Sequence, residues 1–99
     1  MREDVIKYEA ILNESEDILQ IVSDALTLLA QHQDKLDSLI SYYGSQAYFD
    51  DMALADSGQD YGDIPCRVLT EDAVYDVIGS AHELAIQMLE LATHRIKYR

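Results

Sequence analysis

Between Val5 and Tyr43, apolar side chains recur at heptad spacing with no glycine or proline among them. One seam carries Val5, Leu12, Leu19, Leu26 and Ile40. A second, three residues on, carries Tyr8, Val22, Leu29, Leu36 and Tyr43. In a helix of 3.6 residues per turn this spacing keeps the apolar groups on one side. It therefore predicts one long helix, over about residues 3–43, that buries a stripe along its length. Ile11, Ile18, Ala25 and Leu39 flank the seams and widen the stripe. The stretch Ala25-Leu26-Thr27-Leu28-Leu29-Ala30 is apolar nearly all round, and a helix apolar on every side is covered on more than one. Glu3 and Asp4 fall in the first turn, where negative charge suits the helix dipole, and Gly44 stands where a left-handed residue closes a helix.

The rest of the chain reads as two more helices. Ser45 is placed to cap a short one over about residues 45–56, with Tyr48, Phe49 and Met52 as its apolar positions. Ser57-Gly58 breaks it, and residues 57–69 form a connection that Val68 and Leu69 pin to the core. Thr70 is placed to cap the third helix, over about residues 70–98. Its seams are Val77, Leu84, Leu91 and Tyr98, and Val74, Ala81 and Met88. Gly79 beside Ala81 reads as a point of close helix approach, with a kink as the alternative. The expected fold is all-α: a single domain over residues 1–99, with the first helix antiparallel to the third and the short helix across one end. This is a three-helix bundle or a coiled-coil-like hairpin. The first helix, roughly 60 Å long at 1.5 Å per residue, outruns the third at roughly 42 Å. Part of its stripe, and Leu28 off the main stripe, therefore call for a homodimer or another protein partner.

Charge narrows the partners. The chain has 19 acidic and 7 basic side chains, a formal net charge of −12. Residues 1–43 hold nine acids and three bases, residues 44–72 seven acids and one base, and residues 73–99 three of each. Such a surface repels phosphate backbones, which argues against direct nucleic-acid binding. The acidic polar face of the long helix argues against a membrane surface. No apolar run approaches the ~20 residues of a bilayer span, and Met1-Arg2-Glu3-Asp4 is unlike a secretory leader. With the single cysteine Cys66, which allows no internal disulfide, this reads as a cytoplasmic protein.

Two stretches carry a family resemblance. One is Tyr42-Tyr43-Gly44-Ser45 followed by Tyr48-Phe49-Asp50-Asp51; the other is Arg67-Val68-Leu69-Thr70-Glu71-Asp72-Ala73-Val74-Tyr75-Asp76. From Tyr42 onward, over about half its length, the chain resembles a small bacterial family known as domain of unknown function 4298. The family pattern has a tryptophan near Tyr48 or Phe49, a lysine-arginine-glycine run before the valine, and a serine at the place of Thr70. This chain has no tryptophan, and Pro65-Cys66-Arg67 replaces the basic run. The first helix shares only heptad character with the family. The resemblance implies a helical fold and a bacterial source, and supplies no activity.

Few residues suggest chemistry. Asp50, Asp51, Asp56, Asp60 and Asp63 cluster in sequence, and hard cations favour clustered carboxylates. Yet Asp56-Ser-Gly-Gln-Asp-Tyr-Gly62 lacks the alternating acids and the central glycine of a calcium loop, so a solvated acidic segment is expected. His32, His82 and His94 form no Glu-x-x-His pair, and Glu90 with His94 at four-residue spacing is expected to be a surface pair. Cys66 has only Arg67 beside it as an activating group and is expected to pack as a small apolar group. Neither a nucleophile elbow nor a phosphate-binding glycine loop is present. No enzyme, cofactor or metal is therefore expected. The tyrosines Tyr42, Tyr43, Tyr48, Tyr61 and Tyr75 gather around the turn and the connection. They read first as packing of that corner, then as a recognition face.

The expected function is a non-catalytic role carried by protein–protein contacts, including self-association. Leu28, Tyr48, Asp50, Asp51, Asp56, Asp60 and Asp63 are the candidate contact residues. The alternative is an acidic inhibitor that mimics nucleic acid and occupies the basic groove of a nuclease or another nucleic-acid-binding enzyme.

Overall fold

A computed structural model describes residues 2–57 and 66–99. The chain is helical: α1 is Arg2–Tyr42, α2 is Gln46–Asp56 and α3 is Glu71–Lys97, with a 3-10 turn at Arg67–Leu69 before α3. No strand occurs among the described residues. All three helices stand within a residue or two of the bounds that the apolar pattern sets. The described chain falls into two units, Met1–Leu36 and Asp37–Arg99, where the pattern alone reads as one domain.

The first unit lies within α1. Every residue from Arg2 to Leu28 is exposed, and Leu29 and Leu36 are half-buried. The large apolar side chains of both seams are among the exposed ones, Val5 at 67% and Leu19 at 65%. In water a lone helix draws little stability from its own hydrogen bonds, because helices in proteins rest mainly on the burial of an apolar face. This segment therefore carries its stripe without cover along most of its length.

The second unit is built on a sharp corner. α1 stops at Tyr42, and Gly44 takes φ +83, a left-handed conformation that glycine adopts without a Cβ clash. The Tyr43 amide donates to the Leu39 carbonyl at 3.1 Å and the Ser45 amide to the Tyr42 carbonyl at 3.0 Å, satisfying carbonyls left over at the helix end. Ser45 caps α2 as its sequence position suggests: its hydroxyl accepts from the Tyr48 amide at 3.2 Å and donates to the Tyr42 carbonyl at 2.6 Å. One serine thus ties the end of α1 to the start of α2.

Thr70 behaves otherwise. It occupies the N-cap position of α3, but its side chain makes no capping bond. The hydroxyl instead donates back to the Arg67 carbonyl at 2.7 Å, beside the Thr70 amide bonded to the same oxygen at 3.1 Å. The 3-10 turn supplies an acceptor that competes for the hydroxyl, and threonine side chains bond readily to such local carbonyls. Val68 and Leu69 are half-buried in that turn. Gly79 lies inside an unbroken α3, and a Cβ built on it meets nothing within 4 Å. Among the described residues, nothing makes the close approach to Gly79 that the sequence suggests.

Candidate functional site

Aromatic rings close the corner. Tyr48, at 4% exposure, and Val74, at 3%, are the buried apolar residues among those described. Tyr48 is ringed edge-on by Tyr42 at 5.6 Å, Tyr43 at 5.2 Å and Phe49 at 5.4 Å between centroids, the geometry that aromatic quadrupoles favour. The two outer tyrosine rings are fixed by their hydroxyls. Tyr42 donates to a carboxylate oxygen of Asp51 at 2.7 Å, and Tyr43 donates to the Glu71 backbone carbonyl at 3.2 Å. The second bond joins the end of α1 to the first turn of α3 across 28 positions of sequence. Burial pushes the Tyr48 phenol above its ordinary pKa, and the nearby Tyr43 and Glu71 add to the rise. A groove of 360 Å³ runs along this corner, lined by Tyr43, Gly44, Tyr48, Phe49, Met52 and Glu71.

The candidate contact residues separate by location. Tyr48, a candidate contact residue, is buried among the Tyr42, Tyr43 and Phe49 rings and is also one of the residues lining the groove. Asp51 is half-buried and holds Tyr42, so part of the acidic group serves the fold. Asp50 is exposed and accepts from the Gln46 side chain at 2.8 Å within α2. Asp56 is exposed at the end of α2, and Asp60 and Asp63 lie outside the described residues. Leu28 is exposed at 69%, on an α1 surface shared with Ala25, Leu29 and His32.

The residues considered for chemistry remain dispersed. Cys66 is half-buried just before the 3-10 turn. His94 lies against the Tyr98 ring, with centroids 4.7 Å apart. Among the described residues, no three His, Cys, Asp or Glu side chains converge as a metal site. No helix among them is long and apolar enough to cross a membrane. The surface that stands out is apolar and helical. Beyond the two seams of α1, Ile21 and Leu28 are exposed at 66% and 69%, and on α3 Leu89 and Ile96 at 68% and 83%. Both pairs are spaced by seven, a repeat visible in the sequence but outside the main stripes.

Residues 5–91 match the family described as domain of unknown function DUF4298. The chain belongs to DUF4298. The match takes in most of α1 as well as the corner and α3, so the likeness reaches well N-terminal of Tyr42, where the motifs alone place its start. No curated protein and no solved structure matches the chain. What the DUF4298 match adds is that α1 and the aromatic corner belong to one family unit.

Proposed function

We propose that this DUF4298 protein is a non-catalytic cytoplasmic helical protein of a bacterium that works through protein–protein contacts, the first of them with a second copy of itself. The observation that supports this is the uncovered stripe of α1. Leu12, Leu19, Val22 and Leu26 are all exposed on one side of a 41-residue helix. Covering a large aliphatic side chain is worth on the order of 1–2 kcal/mol, and a symmetric pair covers each twice. Only the surplus over the roughly 4–15 kcal/mol that association costs in lost freedom shows as affinity, and a micromolar interaction takes a surplus of about 8 kcal/mol.

Sedimentation tests it. The wild-type chain associates at micromolar concentration. Leu19→Lys, which places an ammonium on the stripe, yields a monomer whose helix content in dilute solution is little changed, because Leu19 touches little within its own chain. Asn13→Lys on the polar side leaves association in place. A wild-type chain that stays monomeric at several hundred micromolar overturns the reading. The acidic-mimic alternative predicts the opposite response to salt: binding to a basic groove weakens as salt rises, whereas pairing of two chains of charge −12 strengthens.

A further inference from the structure

We infer that the α1 stripe takes the α1 stripe of a second copy running antiparallel, in the register that sets Leu12 opposite the partner's Leu29 and Leu19 opposite the partner's Val22. This rests on the self-association reading above and adds direction and register to it.

The rows flanking the two seams carry the argument. On one side run Asp4, Ile11, Ile18, Ala25, His32 and Leu39; on the other run Arg2, Glu9, Glu16, Ser23, Ala30 and Asp37. One row is mainly apolar and the other mainly polar and acidic. Two parallel helices set each row against the other row of the partner. That places Asp4 beside the partner's Glu9, and Ile11 beside the partner's Glu16. It also stacks the acid-rich halves, since residues 2–24 hold seven acids and two bases while residues 25–42 hold two acids and one base. Antiparallel helices set each row against its own counterpart. The apolar row then meets the apolar row, and each acid-rich half lies along a nearly neutral one.

Register follows from the same rows. With Leu12 opposite the partner's Leu29, Ile18 meets the partner's Ala25 and Ile11 meets the partner's His32. On the acidic side Glu9 meets the partner's Ala30, Glu16 meets the partner's Ser23, and Arg2 meets the partner's Asp37. No two acids oppose each other, and one opposite-charge pair forms at each end. Sliding by one heptad toward the C-terminus brings Glu9 against the partner's Asp37. A slide by one heptad the other way brings Glu16 against the partner's Glu16. The chosen register also overlaps nearly all of α1. It ends short of Ile40 and Tyr43, the latter held by its bond to Glu71.

Paired spin labels test it on the full chain. With Cys66→Ser leaving a single labelling position, Asp34→Cys puts a label on the outer side of α1, where Asp34 is exposed. In the antiparallel register two such labels stand roughly 40 Å apart, from the 1.5 Å rise per residue. In a parallel pair they stand within about 20 Å, set by the helix spacing and diameter. Mixing chains labelled at Asn13→Cys with chains labelled at Asp34→Cys reverses the order: the mixed distance is the shorter in the antiparallel pair and the longer in the parallel one. A long Asp34 distance with a short mixed distance is expected. A dimer by sedimentation with a short Asp34 distance overturns the direction and leaves self-association standing. A monomer overturns both.

Discussion

The Tyr48 ring sits where three other aromatic rings meet, and its surroundings set two measurable consequences. Truncation to alanine empties the centre of the corner and costs about 3 kcal/mol, in the range for buried aromatic residues, as read from urea denaturation. Titration gives the second. The folded phenol has its pKa raised above the ordinary tyrosine value of about 10, so at high pH the unfolded chain loses this proton first. The stability so conferred is present in full below pH 10, and is lost as pH rises from there through the raised folded value. The melting temperature therefore holds through pH 9 and falls above 10. Tyr48→Phe, which keeps the ring and removes the proton, shows a smaller alkaline fall. Two neighbours contribute smaller amounts, one through its backbone and one through its side chain. Gly44 at φ +83 accepts a Cβ at a cost of about 1 kcal/mol, even though the space around it is open. The Tyr42 hydroxyl on Asp51 is a bond to a charged acceptor, and Tyr42→Phe removes about 1.5 kcal/mol.

At the scale of elements, α3 offers the cleanest contrast between what a sequence shows and what it hides. Its bounds follow from the apolar repeat and the acidic first turn, since helical period is a local property of neighbouring residues. The same holds for α1, and for Ser45 as the cap of α2. What Gly79 does is not local. A glycine amid Ala81 and Ala85 is equally consistent with a helix pressed against it and with open space, and the structure has open space. Gly79→Ala accordingly stabilises the chain by about 0.5–1 kcal/mol in thermal denaturation, the difference in helix propensity with nothing to clash. The Thr70 hydroxyl was hidden for a related reason. Whether it caps α3 depends on the 3-10 turn before it, which three residues without strong periodicity do not announce. The candidate surface divides the same way. Leu28 is exposed as every residue before it in α1 is, on the stripe or off it, whereas the enclosure of Tyr48 requires Tyr42 and Tyr43 to arrive from α1 across the turn at Gly44.

For the whole molecule, charge and apolar surface pull in opposite directions, and the balance can be moved with salt. Each chain carries −12, so bringing two together costs Coulomb energy that falls as ions screen it. The antiparallel register proposed above reduces that cost by spreading the acid-rich halves apart, and its end pairs between Arg2 and the partner's Asp37 recover a little of it. These exposed pairs are worth at most about 1 kcal/mol each, so screening of the net repulsion outweighs their loss. Association is therefore tighter in 0.5 M than in 0.05 M sodium chloride, with the dimer dissociation constant falling several-fold by analytical ultracentrifugation. Because pairing covers α1 and unfolding uncovers it, the melting temperature also rises with protein concentration. Ser15, the polar residue at the place in the second seam between Tyr8 and Val22, provides the matching change in sequence. In the proposed register it lies opposite the partner's Leu26, where a hydroxyl meets an isobutyl group, and Ser15→Leu completes the layer. This substitution lowers the dimer dissociation constant by about tenfold, the effect of about 1.4 kcal/mol. It also makes melting less sensitive to dilution at working concentrations. In a chain that never pairs, the same change at an exposed position alters the melting temperature by no more than the small difference in helix propensity between serine and leucine, and that result counts against the pairing of α1.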